Sequence, residues 1–271
     1  MKIAVVGGDR RMITVADLFT ESGIDCKKYY LEESENNMNG LASADAIILP
    51  LPCEKGGRLN APMSNEPPYI DDVLKHCGKE TLVLGGGLPH GRENHIDYSV
   101  REELLLLNAV PTAEGALEIA LRETEATLHG SDCLVIGYGR IGCYLSGLLD
   151  SLGARVTVAA RKQTARVSAS MQGLCTSDTA EMSSALRRAD VIFNTAPFCL
   201  LGESELDLVK KSAVIIDLAS LPGGVDKVAA KKKGVRFIHA LALPGKVAPV
   251  TAGRIIYETV VSALRERGMS L

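Results

Sequence analysis

Three glycines spaced G-x-G-x-x-G, namely Gly137, Gly139 and Gly142, are the residues of this 271-residue chain whose type and spacing most directly imply a chemistry. The apolar run Cys133–Ile136 leads into them, and a helical apolar pattern follows through Leu145, Leu148, Leu149 and Leu152 until Gly153 stops it. Arg155–Ala160 then makes a second β-branched run, so the glycines sit inside a complete βαβ unit. In that context the spacing marks a dinucleotide-binding turn, whereas alone it is weak evidence. Gly137 would permit the tight turn, Gly139 would let the backbone approach a pyrophosphate, and Gly142 would let helix and strand pack closely. The N–H groups that open the helix would meet the phosphate charge. The expected cofactor contacts in the turn are Gly137, Gly139, Arg140, Ile141 and Gly142.

The end of the second strand bears on which dinucleotide binds. An NAD site usually places a carboxylate there to accept from the ribose 2′-OH. Here Ala160 takes that place, eighteen residues after Gly142, and Arg161, Lys162 and Thr164 follow. A small residue followed by a guanidinium and an ammonium favours a 2′-phosphate, which a carboxylate would repel. The reading is therefore NADP, against the alternative of a solvated basic turn.

Further along, three apolar runs end in polar or glycine-rich segments. Val191–Asn194 leads into Thr195, Ala196 and Pro197, Ala213–Asp217 into LASLPGGVD, and Val235–His239 into ALALPGKVAP. Such strand ends line the ligand side of a doubly wound sheet. Asn194, Thr195, Pro197, Asp217 and Ala219 are expected at the cofactor, and Asn194, Thr195, Asp217, Ser220, His239 and Lys246 around nicotinamide and substrate. His239, or less favourably Asp217, is the candidate proton acceptor. Gly223 and Gly224 suit a loop that approaches a ligand, although a plain turn explains them too.

The surrounding elements read as alternating strands and helices. Lys2–Gly8, Cys26–Leu31, Asp45–Pro52 and Thr81–Gly85 are predicted strands, with helices over Met12–Glu21 and Ile70–Cys77. This alternation implies a parallel, doubly wound sheet. Asp9, Arg10, Arg11, Pro50–Pro52, Asn60 and the GGGLPHGR turn would gather at its carboxyl edge, where Arg11 or His90 would hold a carboxylate, or else serve as ordinary surface residues. A long helix over Thr112–Thr127 is expected to begin after Pro111 with Thr112 as its cap, making Thr112, Glu114 and the backbone at Gly115 candidates for substrate contact or for capping alone. The fold class is thus α/β, with two doubly wound Rossmann-like domains of parallel sheets joined by a long helix. The domains read as 1–111 for substrate and 112–250 for NADP, with 251–271 open to rejoining the first. The last helix is predicted over Thr251–Arg267, ending at Gly268.

Composition narrows the classes further. With 46% hydrophobic residues the chain is ample for two cores, and a net charge of −3 gives no basic field for nucleic acid. Lys231–Lys233 before Gly234 reads as the solvated end of a helix. No secretory leader or membrane span is expected, which points to the cytoplasm. The 7 cysteines are odd in number and lack C-x-x-C, arguing against a disulfide framework and a zinc site; no metal is expected.

The motifs taken together resemble those of the A subunits of dipicolinate synthase. The resemblance runs through GGD-x-R at Gly7–Arg11, ADAIILPLP with LNAP at Leu59–Pro62, REELLLLNAVPTAEGA at Arg101–Ala116, GYGRIG, VAAR, NTAP at Asn194, DLASLPGG at Asp217 and LPGKVAPVTAG at Leu243. The chain departs from the pattern at Arg10 and at Leu221. The resemblance implies a sporulation enzyme, in the mother cell, that oxidises a dihydrodipicolinate from the lysine branch to dipicolinate with NADP⁺. It also implies a partner, a separate flavoprotein-like B subunit, with a homo-oligomer left open. A substrate carrying two carboxylates calls for cations or helix N-termini, which Arg11, Lys246 and the Thr112 end would supply. Two rivals stand beside this reading: an amino-acid or 2-hydroxy-acid dehydrogenase of the same plan, and a non-catalytic NADP-binding scaffold protein.

Overall fold

The computed structural model describes residues 1–32, 34, 37–88 and 93–270. Its chain divides into two compact units, Met1–Asn108 with Pro244–Leu271, and Ala109–Leu243.

In the first unit β1 (Lys2–Val6) runs through the turn at Gly7 and Gly8 into α1 (Arg10–Glu21), which Asp9 caps by accepting from the Arg11 backbone N–H. The chain continues through β2 (Asp25–Tyr29), β3 (Ala46–Ile48), a small antiparallel hairpin of β4 (Glu54–Lys55) and β5 (Arg58–Leu59), α2 (Ile70–Lys75), β6 (Leu82–Gly85), β7 (His95–Asp97) and α3 (Glu102–Leu107). The main sheet has the order β2-β1-β3-β6-β7 and every pairing in it is parallel. Ile3, Val5, Ala46 and Ile48 face one core, while Ala4, Val6, Ile47 and Leu49 face another. A parallel sheet covered on both faces needs such continuous apolar strands, which is why these runs read so plainly.

The second unit opens with α4 (Ala109–Glu123), followed by β8 (Asp132–Ile136), α5 (Arg140–Ser151), β9 (Arg155–Ala159), α6 (Gln163–Met171), β10 (Cys175–Ser177), α7 (Ser183–Arg188), β11 (Val191–Asn194), α8 (Glu203–Leu206), β12 (Val214–Asp217), α9 (Lys227–Lys233) and β13 (Arg236–His239). Its six strands lie in the order β10-β9-β8-β11-β12-β13, all parallel, the doubly wound order of dinucleotide-binding sheets. Lys231–Lys233 do close a helix, ended by Gly234 in the left-handed region. α10 (Leu243–Val247) begins at the unit's last residue, and α11 (Pro249–Glu266) lies on α1 within the first unit. A Cβ on Gly253 of α11 would sit 2.6 Å from Thr14 Cβ, so the glycine sets how closely these helices approach.

Several sequence expectations need correction. α4 starts at Ala109, not after Pro111, because a proline in the first turn removes an N–H that would have no intrahelical partner anyway. Thr112 is therefore inside the helix and is not its cap. Gly115 is buried, so its backbone is not open to a ligand. α4 ends at Glu123 rather than Thr127, and α11 begins two residues earlier than expected, at Pro249. By length and composition alone, Glu102–Glu123 passes the test for a membrane-crossing helix, with an 18-residue window of mean hydropathy 1.4, a test that a buried core helix passes equally. Half of that window is buried in the structure, including Ala113, Ala116, Ile119 and Ala120 in the second unit's core.

Candidate functional site

The glycine turn forms where β8 gives way to α5. Gly137 has φ +96°, and a Cβ there would strike Thr195 Oγ1. A Cβ on Gly142 would run into the Gly137 carbonyl oxygen, so only glycine allows α5 to close onto the turn. Gly139 differs: a Cβ there meets nothing within 4 Å, and the residue is exposed as the N-cap of α5. Close packing at Gly137 and Gly142 with open space at Gly139 is the arrangement a bound pyrophosphate requires. Arg140 is exposed beside it, while Ile141 packs partly on the core.

One row of paired residues crosses the sheet at its carboxyl edge: Ser177, Ala159, Ile136, Asn194, Asp217 and His239. Ala160, next to the row, is 4% exposed, and the exposed Arg161 and Lys162 follow it into α6. The Arg161 guanidinium carbon lies 5.4 Å from the centre of the Phe198 ring. β9 and β11 flank β8, so this cation–π contact joins strand ends on either side of the glycine turn. Behind the basic pair, Arg166 donates to the carbonyls of Ala160 at 2.6 Å and Arg161 at 2.9 Å and to Asp178 Oδ2 at 2.6 Å. The Ala180 backbone N–H, and after it Arg166, hold the Asp178 carboxyl below the usual carboxylate range. Burial, reinforced by the Cys143 side chain, pushes the Tyr138 hydroxyl up to about 12, and that hydroxyl donates to Gln172 Oε1 at 3.0 Å.

Asp217 has a role different from proton acceptance. It is 0% exposed, and its oxygens accept from Asn194 Nδ2 at 2.7 Å, the Ala219 N–H at 3.1 Å and the Gly224 N–H at 2.8 Å. Three donors on a fully buried carboxylate leave it no exposed oxygen for a substrate proton. Asn194 is equally buried and closes the loop from the other side through the carbonyl and N–H of Ala196. Together they shape the Ser220–Gly224 loop, where Gly223 has φ +95°. Thr195 donates to the Ile136 carbonyl, Pro197 is exposed, and the Ala219 carbonyl lies 2.8 Å from His239 Nε2. A carbonyl oxygen only accepts, so Nε2 carries the proton and a neutral His239 keeps its lone pair on Nδ1. His239 itself is half-buried.

In the first unit Arg11 is already paired. Its Nε and Nη2 bond to both Asp9 oxygens at 2.9 Å, and Nη2 also donates to the Leu51 carbonyl at 3.0 Å. Much of its charge therefore serves the loop after β3. Lys246 and Glu114 are exposed on α10 and α4, and His90 lies outside the described residues. Phe198, Arg166 and Asp178 escaped the sequence reading. Only the position of Arg166 on the helix after the basic pair hinted at one of them, because a helical side chain leans toward its N-terminus. No cluster of metal-binding side chains occurs among the described residues.

This fold and turn define a Rossmann-type, nicotinamide-binding dehydrogenase. Residues 112–222 match the NAD-binding domain of the D-isomer specific 2-hydroxyacid dehydrogenases, and residues 2–99 match the N-terminal domain of the dipicolinate synthase A subunit. The dipicolinate synthase A subunit of Bacillus subtilis is 30% identical, over 98% of this chain and 96% of its own. The crystal structure of that protein superposes with a TM-score of 0.87. The corresponding crystal structure from Bacillus halodurans, 26% identical over 97% of each chain, superposes with a TM-score of 0.88. The chain belongs to the family of dipicolinate synthase A subunits.

Proposed function

We propose that this chain is the NADP-dependent component that oxidises a dihydrodipicolinate to dipicolinate in the cytoplasm of a sporulating mother cell, working with a separate flavoprotein-like B subunit. The observation that carries the cofactor choice is the turn after β9, where a buried alanine replaces the ribose-binding carboxylate and two exposed cations follow. Membership of the family supports the choice of substrate and partner.

The cofactor, whose pyrophosphate the glycine turn would hold, would supply hydride acceptance through its nicotinamide. The chain's own part is largely positional, since aromatisation of the ring favours the products. Gly139 and the α5 N-terminus hold the pyrophosphate, and Arg161 and Lys162 meet the 2′-phosphate. The Asn194–Asp217 pair sets the Ser220–Gly224 loop, and through Ala219 that loop orients His239 so that Nδ1 accepts the ring proton. Lys246 and the remaining donors of Arg11 serve the two carboxylates.

The deciding assay supplies freshly generated dihydrodipicolinate with NADP⁺ or NAD⁺, with and without the B subunit, and follows reduced cofactor. Turnover with NADP⁺ supports the reading. Turnover on 2-hydroxy acids with none on dihydrodipicolinate sinks it, and single-turnover reduction seen only with the partner assigns the chain a scaffold role.

A further inference from the structure

We propose that Arg166 is a specificity-determining positioning residue, which makes the β9–α6 turn able to receive a 2′-phosphate, with Asp178 as its counter-ion. The inference rests on the NADP reading and deepens it.

The turn that carries Arg161 and Lys162 has an electrostatic problem. Two of its carbonyls, those of Ala160 and Arg161, converge on one point, and the Asp178 carboxylate lies against the same point. Left alone, this cluster of oxygens would repel a phosphate. A single guanidinium nitrogen, Arg166 Nη1, donates to all three. Nη1 shares its two N–H groups among these three acceptors, so this end of the guanidinium cancels the local negative potential and holds the turn. The phosphate charge is then met by Arg161 and Lys162, which are exposed where Arg166 is half-buried.

The geometry also freezes the turn from two sides. The Ala160 N–H donates to the Ser177 carbonyl of β10 at 3.1 Å, and Asp178 follows Ser177 directly. Arg166 belongs to the first turns of α6, where its own N–H reaches back to the Lys162 carbonyl at 3.3 Å. The strand, the turn and the helix thus meet at one side chain, at 24% exposure, opposite Asp178 at 31%. An NAD ribose carries no phosphate and is indifferent to this neutralisation. The consequence is selective: Arg166 governs the preference between the two cofactors more than the affinity for either.

The test measures dissociation constants of NADP⁺ and NAD⁺ by calorimetry for the full chain and for R166M, R166K and D178N, with thermal unfolding run in parallel. R166M is expected to weaken NADP⁺ about tenfold, as the bared carbonyls and Asp178 repel the 2′-phosphate, while NAD⁺ changes less than about twofold. R166K, which keeps the charge and a single donor nitrogen, is expected to recover part of the preference. D178N removes the anion but leaves Arg166 on both carbonyls, so the preference for NADP⁺ is expected to rise, most visibly at low salt. Proportional losses for both cofactors in R166M and R166K, or a preference that falls in D178N, would overturn the proposal while the NADP reading stands. A wild-type chain that binds NAD⁺ as tightly as NADP⁺ would sink both.

Discussion

Asn194 donates through Nδ2 to Asp217 Oδ1 at 2.7 Å, with both side chains fully buried at the ends of adjacent strands. Because the Ala219 and Gly224 N–H groups converge on the same carboxylate, its removal strands three donors at once. Asp217→Ala is expected to cost about 2–4 kcal/mol, the scale of buried donors left unpaired. Thermal unfolding measures this directly. A loss within about 0.5 kcal/mol, the range of an ordinary surface substitution, would contradict the role.

The glycines of the turn separate packing from binding. Gly139→Ala places a methyl group in open space on extended backbone, φ −87° and ψ −161°, so stability is expected to hold or rise by up to about 1 kcal/mol. Cofactor affinity is expected to fall at least about tenfold as the methyl displaces the pyrophosphate. Gly142→Ala instead drives a Cβ into the Gly137 carbonyl and is expected to lose about 1–3 kcal/mol of stability as well as binding. Titration of cofactor against both variants, with unfolding curves, distinguishes the two patterns.

Arg161→Ala is expected to weaken NADP⁺ by about 1–3 kcal/mol and NAD⁺ little, as for a lost charge-assisted hydrogen bond. Phe198→Ala removes a ring 49% exposed, and the expected effect is small and similar for both cofactors. Equal losses for both cofactors in Arg161→Ala would argue against a 2′-phosphate partner.

His239→Gln is expected to lower kcat about 10²–10⁴-fold if Nδ1 accepts the ring proton, with KM little changed. Steady-state kinetics read this split. Should kcat persist, the proton leaves to water and His239 serves only to hold Ala219.

Arg101 ties α3 to α11 within the first unit, bonding Glu103 at 2.5 Å and Glu266 at 2.5 Å and 2.9 Å. The Arg101 guanidinium holds both carboxyls below the usual glutamate range. A carboxyl lowered in the folded state adds stability above its unfolded pKa, about 4.3, and loses it as pH falls through the folded value. The wild-type melting temperature is therefore expected to fall more steeply than that of Arg101→Met on acidification from neutrality through that range. Parallel curves for the two proteins would show that the clasp contributes nothing.

Much of this was legible in the chain itself. The βαβ unit around Gly137 is contiguous, so its strand, turn and helix signals lie within one window. The inner strands β1, β3, β6, β8, β11 and β12, buried on two faces, announce themselves as apolar runs. The start of α4 was misread because Pro111 looks like a boundary yet is tolerated in a first turn. The hairpin of β4 and β5, at two residues per strand, and the three-residue β7 and β10 are too short for any period to show.

By itself the sequence determined the fold class, the dinucleotide turn and the basic residues at Arg161 and Lys162, since each depends on local spacing and chemical type. Tertiary structure alone decided what the polar residues do. Asp217 meets Asn194 across 23 residues, and Arg101 meets Glu266 across 165. Such pairs form only when strand order and helix packing bring them together, and burial then settles whether a carboxylate binds a ligand or a loop. The same aspartate that reads as a base in the chain becomes, once buried under three donors, part of the scaffold that holds Ala219 against His239.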